Sequence, residues 1–552
     1  MTPSRRTFLR TAGGALLGAA LPASPASARP RGQRADLVVR GGTVFDGSGA
    51  DGVEADVAVR GGRIEAVGAR LGITGEVEID ARGQAVAPGF IDIHSHADGT
   101  LFADPAAESV VRQGVTTVVV GQDGGSAAPR ARRDGHGGDD DAYASLRDFL
   151  AAVQRLPPAV NVASMVGLGT VRAAVVGLDD RPATADELRR MTALVERALA
   201  DGACGASSGL EYTPGAFATR DELVTLCRPL APRRLPYATH MRNEDDRLLD
   251  AIAEAIAVAE GAGCPLQISH LKTQGPRNWG RLDDAFALIE RAATRGLDVA
   301  FDRYPYVAYQ TGLTNLFPVW SRDGGTDAFL ARLADAATAG RIREETLAKV
   351  ALIGGWDNVQ ITSVATEADR SAEGQRLGSY AAAHGAQPYE TAVGLLRRSH
   401  GSVGMVGFAM SEENLARILA HPRGMVCSDG GAFAVAGPAR RGHPHPRALG
   451  TFPRVLARLV RERRALTLPR AIHKMSGFPA RRLRLADRGR IAPGLAADLV
   501  VFDPAAVTDR ATFAEPFQYP TGISAVVVNG AIALRDGARA PQRTGQALTP
   551  HA

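Results

Sequence analysis

From Pro88 onward the chain repeats one texture, a short apolar run ending in polar residues and then a stretch of helical character. The apolar runs are IDIHSH, TTVVVGQDG, NVASMVGLG, GACGASSGLEY, PYATHMR, PLQISHLK, DVAFDRYPY and GMVCSDG. Helical patterns separate them, as at residues 183–201, 248–261 and 282–295. Eight strands alternating with helices predict an α/β fold, a TIM-like (β/α)8 barrel over residues 89–488. Residues 311–419 are too many for one strand-to-helix connection and predict an insertion in the barrel, a candidate lid.

Both ends of the chain read differently. DLVVRGGTVFD, ADVAVRGGRIEAVG and GEVEIDARGQAV alternate apolar and polar residues between Gly and Asp turns, the pattern of an antiparallel sheet. The pattern returns in GRIAPGLAADLVVFD and GISAVVVNGAIALRDG, so residues 35–88 and 489–540 predict one small β-sandwich domain built from both ends. Residues 1–30 read as a signal peptide: twin arginines in SRRTFLR, the mildly apolar AGGALLGAALPA, then the small-residue cleavage site Ala26-Ser27-Ala28. They predict export by the twin-arginine route to the periplasm or the exterior. No other segment approaches the roughly 18 uninterrupted apolar residues that span a bilayer. The formal net charge of +5 comes from arginines scattered along helices and termini, which excludes a nucleic-acid footprint. Cys204, Cys227, Cys264 and Cys427 lack C-x-x-C spacing and predict free thiols. Nothing in the sequence sets an oligomeric state.

The chemistry starts in PGFIDIHSHAD, where His94 and His96 stand two residues apart at the end of an apolar run. Residues i and i+2 of a strand face one side, so both imidazoles can reach one ion. Polar pairs also simply end strands, and this spacing alone does not decide. His240 in YATHMR, His270 in LQISHLK and Asp429 in MVCSDG close their own apolar runs in the same way. In a barrel those ends form the rim where active sites are built. Imidazole and carboxylate are ligands that zinc accepts. A cation held so lowers the pKa of bound water from about 15.7 toward 7, and Asp429 can then take the water's proton and return it to a leaving group. Lys272 and Arg447 lie where they can face a substrate carboxylate, the arginine in bidentate fashion.

This set of strand-end ligands resembles the amidohydrolase superfamily, and GRIAPGLAADLVVFD resembles its returning β strands. SGLEYTPGAF, THMRNEDDRLLDAI, QISHLKTQGPRNWGR, RYPYVAY, CSDGG and HPHPRALGTFPRVL together are similar to the D-aminoacylases, or N-acyl-D-amino-acid deacylases, over residues 36–536. The resemblance implies one or two zinc ions on His94, His96, His240 and His270, with Asp429 as catalytic acid and base. It implies substrate contacts from Lys272, Tyr304 and Arg447, and hydrolysis of N-acyl-D-amino acids to a carboxylate and a D-amino acid. The D hand rests on the resemblance alone. One position departs from the family: Asp123 stands where a metal-bridging cysteine is usual. A carboxylate can also ligate zinc and bridge two ions; Glu211 is the rival bridge, and a turn aspartate the plain alternative. The family's small hydroxyl residue after YPY is not evident, since Tyr309 and Gln310 occupy that region. Relatives that bridge metals with a carboxylated lysine need one on the fourth strand, and the only lysines here are Lys272, Lys349 and Lys474. The competing readings are a related hydrolase acting on a cyclic amide or a dipeptide, and a barrel that binds without catalysis.

Overall fold

The structure, a computed structural model, describes residues 34–130 and 143–550. The segment read as a signal peptide, residues 1–30, lies outside the described residues, as does the Gly/Asp-rich sequence at residues 134–141, with His136. The chain opens with strands β1 (Arg34–Val44), β2 (Val53–Arg60), β3 (Arg63–Gly68), β4 (Thr74–Asp80) and β5 (Ala85–Pro88). Barrel strands follow: β6 (Phe90–Asp92), β7 (Val115–Val120), β8 (Asn161–Ser164) continued by β9 (Val166–Gly167), β10 (Ala206–Gly209), β11 (Tyr237–His240), β12 (Leu266–Ile268) and β13 (Val299–Arg303). Then come β14 (Ala308–Gly312), β15 (Val359–Ser363) and β16 (Gly404–Phe408), the last barrel strand β17 (Gly424–Val426), and finally β18 (Leu499–Phe502), β19 (Ile523–Val528), β20 (Ala531–Arg535) and β21 (Ala538–Arg539).

The barrel strands pair in parallel as β6-β7-β8 and β9-β10-β11-β12-β13-β17. The ring closes where Asp429 N donates to His94 O and His96 N to Gly430 O, both at 2.9 Å. Inward residues Ile91, Val119, Ala163, Ala238, Ala300 and Met425 fill the interior, and buried Leu548 joins them as its backbone N–H bonds Val162 O near the start of β8. Helix boundaries follow local chemistry. Helix Ala185–Asp201 begins after Thr184, whose hydroxyl accepts from Glu187 N while Glu187 accepts from Thr184 N, and it ends at Gly202 with φ 114°.

Strands from both ends form one nine-stranded sheet, running β21-β20-β19-β18-β5-β1-β2-β3, with β4 also on β1. Period-two alternation makes it two-faced: Leu499, Val501 and Val527 join Val39, Val57 and Val59 in its own core, while Val500, Phe502, Val526 and Val528 turn to the barrel. The sheet is mixed where the sequence pattern predicts an antiparallel one. β2 and β3 form a hairpin on one side of β1, so the chain returns along its other side, and β4 and β5 pair with β1 in parallel.

The insertion also ends earlier than residue 419. β14, β16 and β15 form a separate antiparallel sheet, with helices Thr326–Arg332, Ala336–Leu352, Leu377–Ala383 and Pro388–Arg398 around it. Helix Glu412–Ala420 packs on β13 and β17 and so belongs to the barrel. Lys349 ties the insertion down, its Nζ lying 2.6 Å from Asp245 Oδ2 and 3.7 Å from Glu211 Oε1. All four cysteines are buried and unpaired. Among the described residues no helix is long and apolar enough to cross a membrane.

Candidate metal centre

Every proposed ligand stands at or just past the C-terminal end of a barrel strand: His94 and His96 after β6, Asp123 after β7, His240 closing β11, His270 after β12, Asp429 after β17. Three of them, Asp123, His270 and Asp429, have left-handed backbones, with φ of 51°, 35° and 50°. Such conformations cost roughly 1–3 kcal/mol each for residues other than glycine and gather at functional sites. Asp123 is also pressed inward. A Cβ on Gly209 would lie 2.1 Å from Asp123 O, so only glycine at the end of β10 lets this loop sit so deep.

Asp123 occupies the middle of the cluster. Its Oδ1 lies 3.4 Å from His94 Nε2 and 3.5 Å from His270 Nε2; its Oδ2 lies 3.4 Å from His96 Nε2 and 3.9 Å from His240 Nδ1. Asp429 Oδ1 lies 3.1 Å from His96 Nε2 and 3.6 Å from His94 Nε2. Two ligand groups share Asp123, His94-His96-Asp123-Asp429 and Asp123-His240-His270, and a third, Glu211-His240-Glu244, adjoins them, each with donor atoms within 4.8 Å of one another. Both nitrogens of His94 and Oδ1 of Asp123 are buried without a hydrogen-bond partner, which a protein tolerates poorly unless something else binds them. This donor set fits a divalent cation, zinc by ligand type.

Carboxylates stand behind three of the imidazoles; Glu211 orients His240, Glu244 with Lys272 orients His270, and Asp302 lies beyond hydrogen-bond reach of His94. Asp302 Oδ1 stands 3.7 Å from His94 Nδ1, Glu211 Oε2 3.3 Å from His240 Nε2, and Glu244 Oε1 3.0 Å from His270 Nδ1. Glu211 therefore serves the far nitrogen of His240, and the position between the two histidine pairs belongs to Asp123. Glu244 and Asp302 escape a reading of strand ends: Glu244 follows His240 in the loop segment RNED, and Asp302 lies within the apolar run of the next strand. Glu211→Gln is expected to lower metal affinity about 10–100-fold, the usual scale for such partners, as read by competition with a chromogenic chelator.

The charges are interlocked. Burial opposes ionisation of Asp429, but Arg447 and the histidines outweigh it and hold the carboxyl far below its ordinary range. Burial likewise opposes the charged form of His96, yet Asp123 and Asp429 push its pKa up to about 10. A cation between these rings would replace that proton.

Lys272 and Arg447, read as facing a substrate carboxylate, are each engaged within the protein. Arg447 Nη1 donates to Asp429 Oδ2 at 2.7 Å, and Lys272 Nζ to Glu244 Oε1 at 2.5 Å. Both still line the cavity, and Arg447 Nε is buried with no partner. His445 holds Arg447 in place, its Nδ1 accepting from Arg447 N at 2.9 Å. Tyr304 lies between the guanidiniums of Arg303 and Arg447, at 4.2 and 4.6 Å, with its buried hydroxyl unpartnered. Tyr309 also lines the cavity; its buried hydroxyl has no partner and its ring packs on Gly407, where a Cβ would come within 2.3 Å. The cavity measures about 600 Å3, within the range of small-molecule sites.

Imidazoles and carboxylates gathered at the rim of a closed parallel barrel are the arrangement of a metal-dependent hydrolase. Comparison with known proteins agrees. A family model described as "Amidohydrolase family" matches residues 77–285 and 438–534. An N-acyl-D-aspartate deacylase of Alcaligenes xylosoxydans xylosoxydans is 39% identical over 94% of this chain and 95% of its own length. A crystal structure of D-aminoacylase superposes with a TM-score of 0.79 at 38% identity, covering 93% of this chain and 99% of that one. An N-acyl-D-glutamate deacylase from Bordetella bronchiseptica, complexed with zinc and a phosphonate mimic of the tetrahedral intermediate, gives 0.80 at 35% identity, covering 94% and 100%. The chain belongs to the amidohydrolase family, and within it to the D-aminoacylases.

Proposed function

We propose that this protein is an exported, zinc-dependent deacylase that hydrolyses the amide bond of N-acyl-D-amino acids, releasing a carboxylate and a free D-amino acid. The observation that carries this reading is the single cluster in which Asp123 stands between two histidine pairs with Asp429 beside it. The D hand of the substrate rests on the names of the relatives.

His94, His96, Asp123, His240 and His270 would hold the zinc, as one ion or two. Zinc there supplies a Lewis acid for the scissile carbonyl and acidifies water at neutral pH. Asp429, kept ionised by Arg447, accepts a proton from the attacking water as its oxygen adds to the acyl carbon. When the C–N bond breaks, Asp429 returns that proton to the amine nitrogen, so the carboxyl ends the cycle ionised as it began. Lys272 retains one donor beyond its contacts with Glu244 and with His270 Nδ1, and Arg447 retains Nε, which suits both to the substrate's α-carboxylate. The Tyr304 hydroxyl, already stripped of water, is a donor for the substrate.

Purified protein assayed on N-acetyl-D- and N-acetyl-L-amino acids is expected to release amine from the D series, to stop on chelation and to recover with zinc. Opening of cyclic imides without deacylation, or bound zinc with no amide turnover, would overturn the proposal. The export element rests on SRRTFLR and Ala26-Ser27-Ala28. With Arg5→Lys and Arg6→Lys the protein should stay in the cytoplasmic fraction, and equal periplasmic recovery would remove that element.

A further inference from the structure

The metal-site cavity continues outward. Thr100, Gln310 and Phe433 line both it and a second chamber of about 480 Å3. One wall of that chamber comes from the insertion, through Thr362 and Ser363 at the end of β15. The facing wall is the loop after β17, through Arg440 and Arg441. Three guanidiniums line the chamber, those of Arg370, Arg440 and Arg441, against one carboxylate, Glu373, which already accepts from Val364 N at 3.1 Å.

Two of the three cations have no acidic partner among the described residues. Arg441 Nη2 donates to Gly99 O at 3.1 Å and Arg440 Nη1 to Val435 O at 3.3 Å, while Arg440 stacks over Phe517 at 4.2 Å. Arg370 pairs with Glu367 at 2.8 Å. Around the metal ligands the inner cavity is arranged the opposite way, with Arg447 on Asp429 and Lys272 on Glu244, while Arg130 also lines that cavity. Among the described residues, then, the cations nearest the metal ligands are neutralised by carboxylates, whereas Arg440 and Arg441 in the adjoining chamber are not. A guanidinium fork held by backbone carbonyls and an aromatic face keeps further N–H donors for a planar anion.

We propose that this outer chamber is a subsite for a distal carboxylate of the substrate. The preferred N-acyl-D-amino acid then carries a second carboxylate, in its side chain or its acyl group, that reaches Arg440 and Arg441. The inference rests on the deacylase reading and adds to it the class of substrate. Being solvent-facing, the pair contributes through encounter and ground-state affinity, a salt-sensitive effect that falls on KM.

The test compares kcat and KM of the zinc-loaded full chain on N-acetyl-D-leucine, N-acetyl-D-aspartate, N-acetyl-D-glutamate and N-succinyl-D-leucine. The proposal expects at least one dianionic substrate to be preferred over N-acetyl-D-leucine, and the preferred one tells whether the second carboxylate sits on the side chain or the acyl group. In the R440A/R441A double variant that preference should fall about three- to tenfold, the scale of two exposed ion pairs, with the change in KM. R440K/R441K should retain most of it, and about 0.5 M salt should erode it in the parent. A preference unchanged in R440A/R441A for every dianionic substrate, or none to begin with, would overturn the subsite while leaving the deacylase intact. Turnover of none of the four would instead remove the deacylase reading.

Discussion

Asp429→Asn is expected to lower kcat on N-acyl-D-amino acids by about 10²–10⁴-fold, the range that a positioned acid–base group contributes. The substitution keeps the shape of the side chain and removes its ability to take a proton. Four imidazoles and Asp123 remain to hold the metal, so metal content measured on the purified variant should stay near that of the parent. Stability should respond as well. Arg447 is buried and donates to Asp429, so the variant leaves a guanidinium without its counter-charge, a change that costs about 3–5 kcal/mol for buried pairs. The acid side carries its own signature. A carboxyl whose folded pKa lies below its unfolded value contributes stability above the unfolded pKa, and that contribution is lost as pH falls toward the folded one. The parent should therefore lose more melting temperature than Asp429→Asn between pH 7 and about pH 3. A variant with undiminished kcat would reduce Asp429 to a ligand or a structural partner of Arg447.

How far the site can be read from sequence depends on which interactions are local. The H-x-H spacing and the polar residue at each apolar run's end are local facts, and they locate His94, His96, His240, His270 and Asp429. Period two likewise reveals both faces of the outer sheet. Contacts between loops from different strands leave no such mark. Lys272 and Arg447 look like free cations in sequence, yet Lys272 meets Glu244 from the loop after β11, and Arg447, even within one connection, meets Asp429 only because the long loop after β17 folds back on itself. The mixed pairing of β1 escapes for the same reason, because strand texture carries no direction. The left-handed backbone at Asp123, His270 and Asp429 is also silent in sequence, since none of these positions is a glycine.

Asp123 carries the second large expectation. Each of its oxygens faces one histidine of either pair, Oδ1 towards His94 and His270 and Oδ2 towards His96 and His240, so the carboxylate connects the two pairs. Asp123→Ala removes a donor from both ligand groups at once. Loss of an outer-shell partner already weakens metal binding by about 10–100-fold, and loss of a shared ligand should exceed that. Metal content should fall, and residual activity should require added zinc. Asp123→Cys separates charge from geometry, because a thiolate is a zinc ligand but cannot present two oxygens to two pairs of rings. It should recover at least one ion per chain and part of the rate, whereas Asp123→Asn, neutral and of the same shape, should recover less. Cadmium titration offers an independent readout, since a new thiolate–metal absorption would appear only in the cysteine variant. If Asp123→Ala kept full metal content and full rate, the aspartate would be only a turn residue before two glycines, and the two histidine pairs would have to hold metal without a shared donor.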